Sequence, residues 1–263
     1  MGRTLLGVAG FPVSHSRSPA MQNAALSELG LEWLYIPVPV PSELFEETTR
    51  ALGSAGFRGL NVTVPHKLAA HDLADSRSTA AEAIGAVNTL TFDDGAIQAD
   101  NTDAAGLLDA LGESPAGRTA LVLGAGGAAR AAVWALLDAG AAEVSVWNRT
   151  AQRAAAVASD LGARPVARPV AVDLVVNCTA VGLGGEKIED LALDGVEPGA
   201  IVLDMVYGED ATPVQEWAER GGARFVSGLE VLVHQGARSL KLWTGRDAPV
   251  AAMRAAAGPA PDS

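Results

Sequence analysis

Residues 119–147, TALVLGAGGAARAAVWALLDAGAAEVSVW, constrain the fold more than any other stretch of the chain. A short aliphatic run ends in glycines, an alanine- and leucine-rich segment follows, and a second β-branched run begins just after it. The order is strand, tight turn, helix, strand, and two strands joined by a crossover helix run parallel in one sheet. The same alternation fills the rest of the chain and predicts an α/β protein. TLLGVAG, LEWLYIPVPV and GLNVTVP read as strands, with helices SPAMQNAALSELG, closed by Gly30, and SELFEETTRALGSAG between them. Ser18, followed by Pro19, and Ser42 are the expected N-caps. AVNTLTFDDGAIQADNTD reads as a hairpin about Asp94-Gly95. Beyond Trp147, DLVVNCT, AIVLDMVY and ARFVSG are strands and LEVLVHQGARSLKLW is a helix, while the tail AAAGPAPDS is expected to be disordered. The series restarts near Arg118, so a domain boundary is expected near residues 103–118, spanned by a helix.

Composition narrows the function classes. The chain has 263 residues, nearly half of them apolar, and a net charge of −12. Such acidity argues against nucleic acid and against anionic membrane surfaces, both of which need a basic face. A small anionic substrate would need a local cluster of cations. Cys178 is the only cysteine, and His15, His66, His71 and His234 show no zinc-like spacing, so no metal is expected. The N-terminal MGRTLLGVAGFPVSHS is broken by Gly10 and Pro12 and reads as a first strand, not a signal peptide. No apolar stretch approaches membrane-spanning length, and a cytoplasmic location is the default expectation. A homodimer is compatible with the sequence, which leaves the oligomeric state open.

GAGGAA at 124–129 lies between a strand and a helix, the context in which a glycine-rich turn cradles a pyrophosphate. Gly124 would give the tight turn and Gly126 the close backbone approach, with Ala125, Gly127 and Ala128 completing the loop and Ala129 in the third fingerprint position. The second strand of the unit ends in Asn148-Arg149-Thr150, with Arg153 one turn on. An NAD site usually carries a carboxylate there for the ribose hydroxyl. Here two arginines stand ready for a 2′-phosphate instead, and the reading is NADP.

The first half places polar groups at the C-terminal ends of its strands, where open α/β sheets build ligand sites. Ser14-His15-Ser16-Arg17-Ser18-Pro19 follows the first strand and ends at a helix start, where two serine hydroxyls near helix N–H groups would cradle a carboxylate. Asn61, Thr63 and Lys67 come from the third strand and the turn after it, Asn88 lies in GAVNTL, and Asp100, Asn101 and Asp103 in ADNTD. Together they suit a small polyhydroxylated acid, although each alone would serve as a turn residue.

GFPVSHSRSP, NVTVPHK, GAVNTL, DNTD, GAGGAAR, NRT and GLEVLVHQGA occur in an order and spacing that resemble the shikimate dehydrogenase family, over all but the last dozen residues. The resemblance implies two domains. One is an α/β substrate domain with a mainly parallel sheet, residues 1–103 and 229–263. The other is a Rossmann-type NADP domain, residues 104–228. It implies reversible oxidation of shikimate to 3-dehydroshikimate, a step of chorismate and aromatic amino-acid biosynthesis. By motif, Ser16 and Ser18 would hold the substrate carboxylate. Thr63, Asn88, Asp103 and Gln235 would bind its hydroxyls or line the pocket, with Tyr207 nearby. Lys67 and Asp103 would be the catalytic pair, and Met205 and Gly228 would meet the nicotinamide end of the cofactor. Three departures bear on fine geometry: Gln22 where many members have histidine, Glu230 after the Gly-Leu pair, and the loose loop NCTAVGLGG. Quinate and aminoshikimate remain alternative substrates, and an NADP-binding regulator that has lost catalysis is the alternative of another class.

Lys67 then has a chemical reason. The chain has sixteen arginines and only three lysines, so a generic cation here is usually arginine. Oxidising a secondary alcohol requires a group that takes the hydroxyl proton near neutral pH, which a desolvated lysine can do and an arginine cannot. A neighbouring carboxylate acts in the opposite sense, so Lys67 and Asp103 are expected to titrate as one coupled unit. An ordinary salt bridge between two loops is the alternative for this pair taken alone.

Overall fold

A computed structural model describes residues 3–183, 187–191, 193, 197–208 and 210–258. The chain divides into two units, Met1–Gly106 with Leu232–Gly258, and Leu107–Val231. The first contains β1 (Leu5–Gly10), α1 (Ser18–Glu28), β2 (Leu34–Pro39), a 3-10 turn (Ser42–Leu44) leading into α2 (Phe45–Ser54), and β3 (Phe57–Val62). It continues through α3 (Lys67–Leu73), β4 (Ser76–Arg77), α4 (Thr79–Ile84), β5 (Thr89–Asp93), β6 (Ala96–Asp100) and the start of α5 (Thr102–Leu111). The second unit contains β7 (Thr119–Leu123), α6 (Gly127–Asp138), β8 (Glu143–Trp147), α7 (Ala151–Leu161), β9 (Arg164–Pro165), β10 (Leu174–Asn177), β11 (Ile201–Asp204), α8 (Pro213–Arg220) and β12 (Arg224–Ser227). Helix α9 (Gly228–Thr244) begins in the second unit and ends in the first, which α10 (Val250–Ala257) completes.

The first sheet has the order β2-β1-β3-β5-β6-β4. β1 lies parallel between β2 and β3, while β5 runs antiparallel to both β3 and β6. Asp94 (φ 47°) and Gly95 (φ 82°) make the β5–β6 turn with two left-handed residues, the geometry that matches strand twist in a two-residue hairpin. Both faces of the sheet are covered. Ala9, Leu60, Val62, Leu90 and Phe92 share one core with Phe45 and Leu73; Leu6 and Val8 pack on the other side with Met21, Tyr35, Val233, Leu240 and Trp243. Burial on both faces is why β1 reads as an unbroken apolar run.

The second sheet is all parallel, ordered β12-β11-β10-β7-β8-β9. The strand order reverses between β7 and β10, and ligands of such sheets bind beyond the strand ends at that switch. Alternation along β7 sends Ala120 and Val122 to one core and Leu121 and Leu123 to the other.

The structure corrects three local expectations. Ser18 does not cap α1; Arg17 holds the N-cap position in a helical conformation, and the Ser16 hydroxyl accepts from the Ser18 N–H at 3.3 Å. Ser42 opens the 3-10 turn instead of capping α2, whose N-cap is Leu44. Ala255–Ala257 are not disordered: they end α10, Ala257 is buried, and its carbonyl accepts from Arg17 Nη1 at 2.9 Å. The last five residues of the tail lie outside the described residues. Among the described residues no helix is long and apolar enough to cross a membrane, and no acidic, histidine or cysteine cluster is placed to hold a metal ion.

Candidate active site

Lys67 is the first residue of α3, delivered by a turn in which the His66 N–H donates to the Thr63 carbonyl at 2.9 Å. The Lys67 carbonyl accepts from Val87 N at 2.9 Å, which ties this helix start to the segment entering β5. Asp103 stands in the first turn of α5, whose start is held by Asn101: its Oδ1 accepts from Ala104 N at 3.2 Å. The two meet with Lys67 Nζ donating to Asp103 Oδ2 at 2.5 Å, both side chains largely removed from solvent at 13% and 6% exposure.

A backbone amide sets the other half of this carboxylate. Thr102 N donates to Asn88 Oδ1 at 2.7 Å, so the opposite face of the Asn88 amide must be its NH2. Asn88 Nδ2 accordingly donates to Asp103 Oδ1 at 2.8 Å and reaches Gln235 Oε1 at 3.2 Å. Each Asp103 oxygen thus accepts from a different partner, one charged and one neutral. Gln235 reaches the cluster from α9, which crosses α5 at Gly106; a Cβ there would lie 2.7 Å from Gln235 N.

Beneath this pair lies a layer of buried hydroxyls and amides. Tyr35 Oη donates to Asn61 Oδ1 at 2.8 Å, and Asn61 Nδ2 donates to Ser239 Oγ at 2.9 Å and to the Asn88 carbonyl at 3.1 Å. Thr89, Thr102 and Ser239 hydroxyls lie within 2.8–3.3 Å of one another. His66, next to Lys67, donates from Nε2 to the Val40 carbonyl at 2.7 Å and stacks on Phe45 at 4.4 Å. Burial lowers its pKa from 6.5, which keeps the ring neutral beside the catalytic candidate at neutral pH.

Ser16, Ser18 and Thr63 come from the segments after β1 and β3. Ser18 is buried, Ser16 and Thr63 half-buried. The hydroxyls of Ser18 and Thr63 have no partner among the described residues and are free to donate. At the departure position, Gln22 donates through Nε2 to the Gly236 carbonyl at 3.0 Å, and its buried Oε1 is unpartnered.

In the second unit the glycine turn has the form its motif requires. Gly124 has φ +112°, and a Cβ on it would lie 2.9 Å from the Cys178 carbonyl oxygen, so the switch between β7 and β10 closes on a glycine. Gly126 is the N-cap of α6, bears no side-chain cap, and faces open space where a Cβ would point. At the end of β8, Asn148 Nδ2 donates to the Thr150 carbonyl at 3.0 Å, while Arg149 and Arg153 are exposed. Neither guanidinium has a partner among the described residues, and no carboxylate occurs between Trp147 and Arg153. These groups fit a dinucleotide with a 2′-phosphate: open helix N–H groups for the pyrophosphate and two unpaired cations for the extra charge. Met205 and Gly228, far apart in sequence, come together; a Cβ on Gly228 would stand 2.7 Å from the Met205 carbonyl oxygen. Tyr207 follows on the same segment, half-buried.

Sequence reasoning missed the residues that hold these groups. Asp204, at the end of β11, is fully buried and accepts three hydrogen bonds, from Asn177 Nδ2 at 2.8 Å, Val206 N at 3.0 Å and Thr212 Oγ1 at 2.6 Å. Burial, only partly opposed by these donors, raises its pKa to about 6. The available signal was a carboxylate ending a buried apolar strand.

Three family models match this chain: the shikimate dehydrogenase substrate binding domain over residues 8–90, shikimate/quinate 5-dehydrogenase over 108–177, and the shikimate 5′-dehydrogenase C-terminal domain over 228–257. A protein of Citrifermentans bemidjiense named shikimate dehydrogenase (NADP(+)) is 42% identical, over 97% of this chain and 95% of its own length. Among solved structures, shikimate dehydrogenase from Aquifex aeolicus superposes with a TM-score of 0.89 at 35% identity, covering 98% of each chain. The Thermus thermophilus enzyme, solved in complex with NADP(H) and shikimate, gives 0.85 at 41% identity, covering 97% of this chain and 98% of its own. With whole-length relatives of this identity and a fold that follows theirs, the chain belongs to the shikimate dehydrogenase family.

Proposed function

We propose that the protein catalyses the NADP-dependent, reversible oxidation of shikimate to 3-dehydroshikimate. The observation that carries this reading is the buried contact of Lys67 Nζ with Asp103 Oδ2 at 2.5 Å. The first unit is the substrate domain and the second, Leu107–Val231, the cofactor domain.

Ser16 and Ser18 donate their hydroxyls to the substrate carboxylate. Thr63, Asn88, Asp103 and Gln235 bind the ring hydroxyls, and Tyr207 lines the pocket. Bound NADP accepts the hydrogen that leaves the alcohol carbon with its electron pair, and NADPH returns it in the reverse direction. As that hydrogen leaves, the Lys67–Asp103 unit takes the hydroxyl proton, and the product carbonyl forms from the oxygen's electron pair. In the reverse direction the Lys67 ammonium gives the proton back and stabilises the developing alkoxide. Asp103 is kept in place for both directions because Asn88 occupies one of its oxygens and leaves the other to Lys67. The loop Gly124, Ala125, Gly126, Gly127 and Ala128 receives the pyrophosphate. Asn148, Arg149, Thr150 and Arg153 hold the adenosine 2′-phosphate, and Met205 and Gly228 meet the nicotinamide.

The test follows the NADPH absorbance band with purified protein, offering shikimate and quinate, each with NADP and with NAD. Reduction fastest with shikimate and NADP is expected. A preference for quinate or NAD would move the chain to a sister activity, and cofactor binding without turnover would favour a regulator.

A further inference from the structure

The carboxylate of Asp204 is buried, its three hydrogen-bond donors are all neutral, and none of the steps above uses it. Its three donors come from three places: Asn177 ends β10, Val206 lies in the segment after β11, and Thr212 caps α8 with its hydroxyl accepting from Gln215 N at 3.1 Å. Asn177 spreads the linkage further. Its Oδ1 accepts from Thr179 N at 3.0 Å and Thr179 Oγ1 at 2.7 Å, and its carbonyl accepts from Met205 N at 2.9 Å. On either side stand two glycine contacts: Gly124 against the Cys178 carbonyl, and Gly228 against the carbonyls of Asp204 and Met205.

We infer that Asp204 is a positioning residue for the nicotinamide half of the cofactor site: by holding Val206 N–H, Thr212 and Asn177 at once, it fixes the segment Met205–Tyr207 against Gly228. The inference rests on the assignment of NADP to this unit. The segment after β11 is irregular and ends in Gly208; Val206 is buried but Met205 and Tyr207 are only half-buried, and a buried acceptor with three donors adds a directional restraint to that packing. The adenosine half is held elsewhere, by the glycine turn and by Arg149 and Arg153, so the two halves should respond differently when the clasp is removed.

The experiment measures dissociation constants of NADPH and of adenosine 2′,5′-bisphosphate, which lacks the nicotinamide half, for the full-length protein and for Asp204→Ala and Asp204→Asn. Asp204→Ala leaves buried donors unanswered and is expected to weaken NADPH about tenfold while leaving adenosine 2′,5′-bisphosphate within about twofold. Asp204→Asn, which keeps an acceptor for Asn177 and Val206, should restore most of the NADPH affinity. If Asp204→Ala does not fold, Thr212→Val is read in the same way. Equal losses for both ligands, or no loss for either, would overturn the inference. Failure of the unaltered protein to bind either ligand would instead remove the NADP assignment itself.

Discussion

Lys67 opens α3 with its ammonium on Asp103 Oδ2, and an arginine in its place could make the same ion pair. It could not surrender a proton at neutral pH. Lys67→Arg and Lys67→Ala are therefore both expected to lower kcat by about 10²–10⁴-fold, while calorimetry still detects shikimate binding. Turnover of Lys67→Ala within a few-fold of the unaltered protein would remove the pair from the chemistry and leave it a salt bridge. The two residues are 36 positions apart, and no spacing rule links them. Lysine 67 stood out in the sequence by type, in a chain that otherwise uses arginine, but its partner came only through the family motif. The supporting layer was less visible still. Asn61 stood out as a polar residue in an otherwise apolar strand, but its partner Ser239 is 178 residues away in a helix and does not look like part of a site until the chain is folded.

Among the elements, β3, β5 and α9 meet most tightly at Gly59. Trp243 lays its indole across that glycine and donates from Nε1 to the Leu90 carbonyl at 3.0 Å. A Cβ at position 59 would come within 2.1 Å of Trp243 Nε1 and 2.5 Å of Leu90 O, neither of which can move without breaking that bond. Gly59→Ala is expected to cost about 1–3 kcal/mol, read as a lowered denaturant midpoint with an unchanged slope. An unchanged midpoint would mean that α9 shifts freely over the sheet. Elements with a clean period were legible beforehand: the apolar strands, the Asp94-Gly95 hairpin and the helix after the glycine turn all lie where their patterns put them. The helices α3 and α4 were not, because LAAHDLADSRSTAAEAIG is short, polar and interrupted by turn residues, and gives no helical stripe. The helix starts at Ser18 and Ser42 were misjudged for a related reason. A serine near a helix start has several ways to satisfy backbone N–H groups, and only the local φ and ψ decide which is used.

For the whole molecule, two buried groups give opposing pH dependence. Burial raises the Asp204 pKa from 3.8 to about 6, so between those values the folded chain keeps a proton that the unfolded chain has released. Stability must then fall as pH rises through that window, by about 3 kcal/mol, and level off above it. His66 acts in the other sense. Its pKa is lowered from 6.5, so its contribution is present above 6.5 and lost as pH falls and the unfolded chain takes up the proton first. Comparing Asp204→Asn with the unaltered protein by urea unfolding at pH 4 and pH 7 isolates the first term. The variant is expected to gain about 3 kcal/mol relative to the unaltered protein as pH rises, and a difference independent of pH would show that the carboxylate stays ionised. The discontinuous first unit carries a different consequence, one of timing. Met21, Leu26 and Tyr35 share a core with Val233, Leu240 and Trp243, which leave the ribosome some two hundred residues later. The second unit is continuous and has its own core, so during synthesis the part made first must wait, its apolar face uncovered, for the part made last.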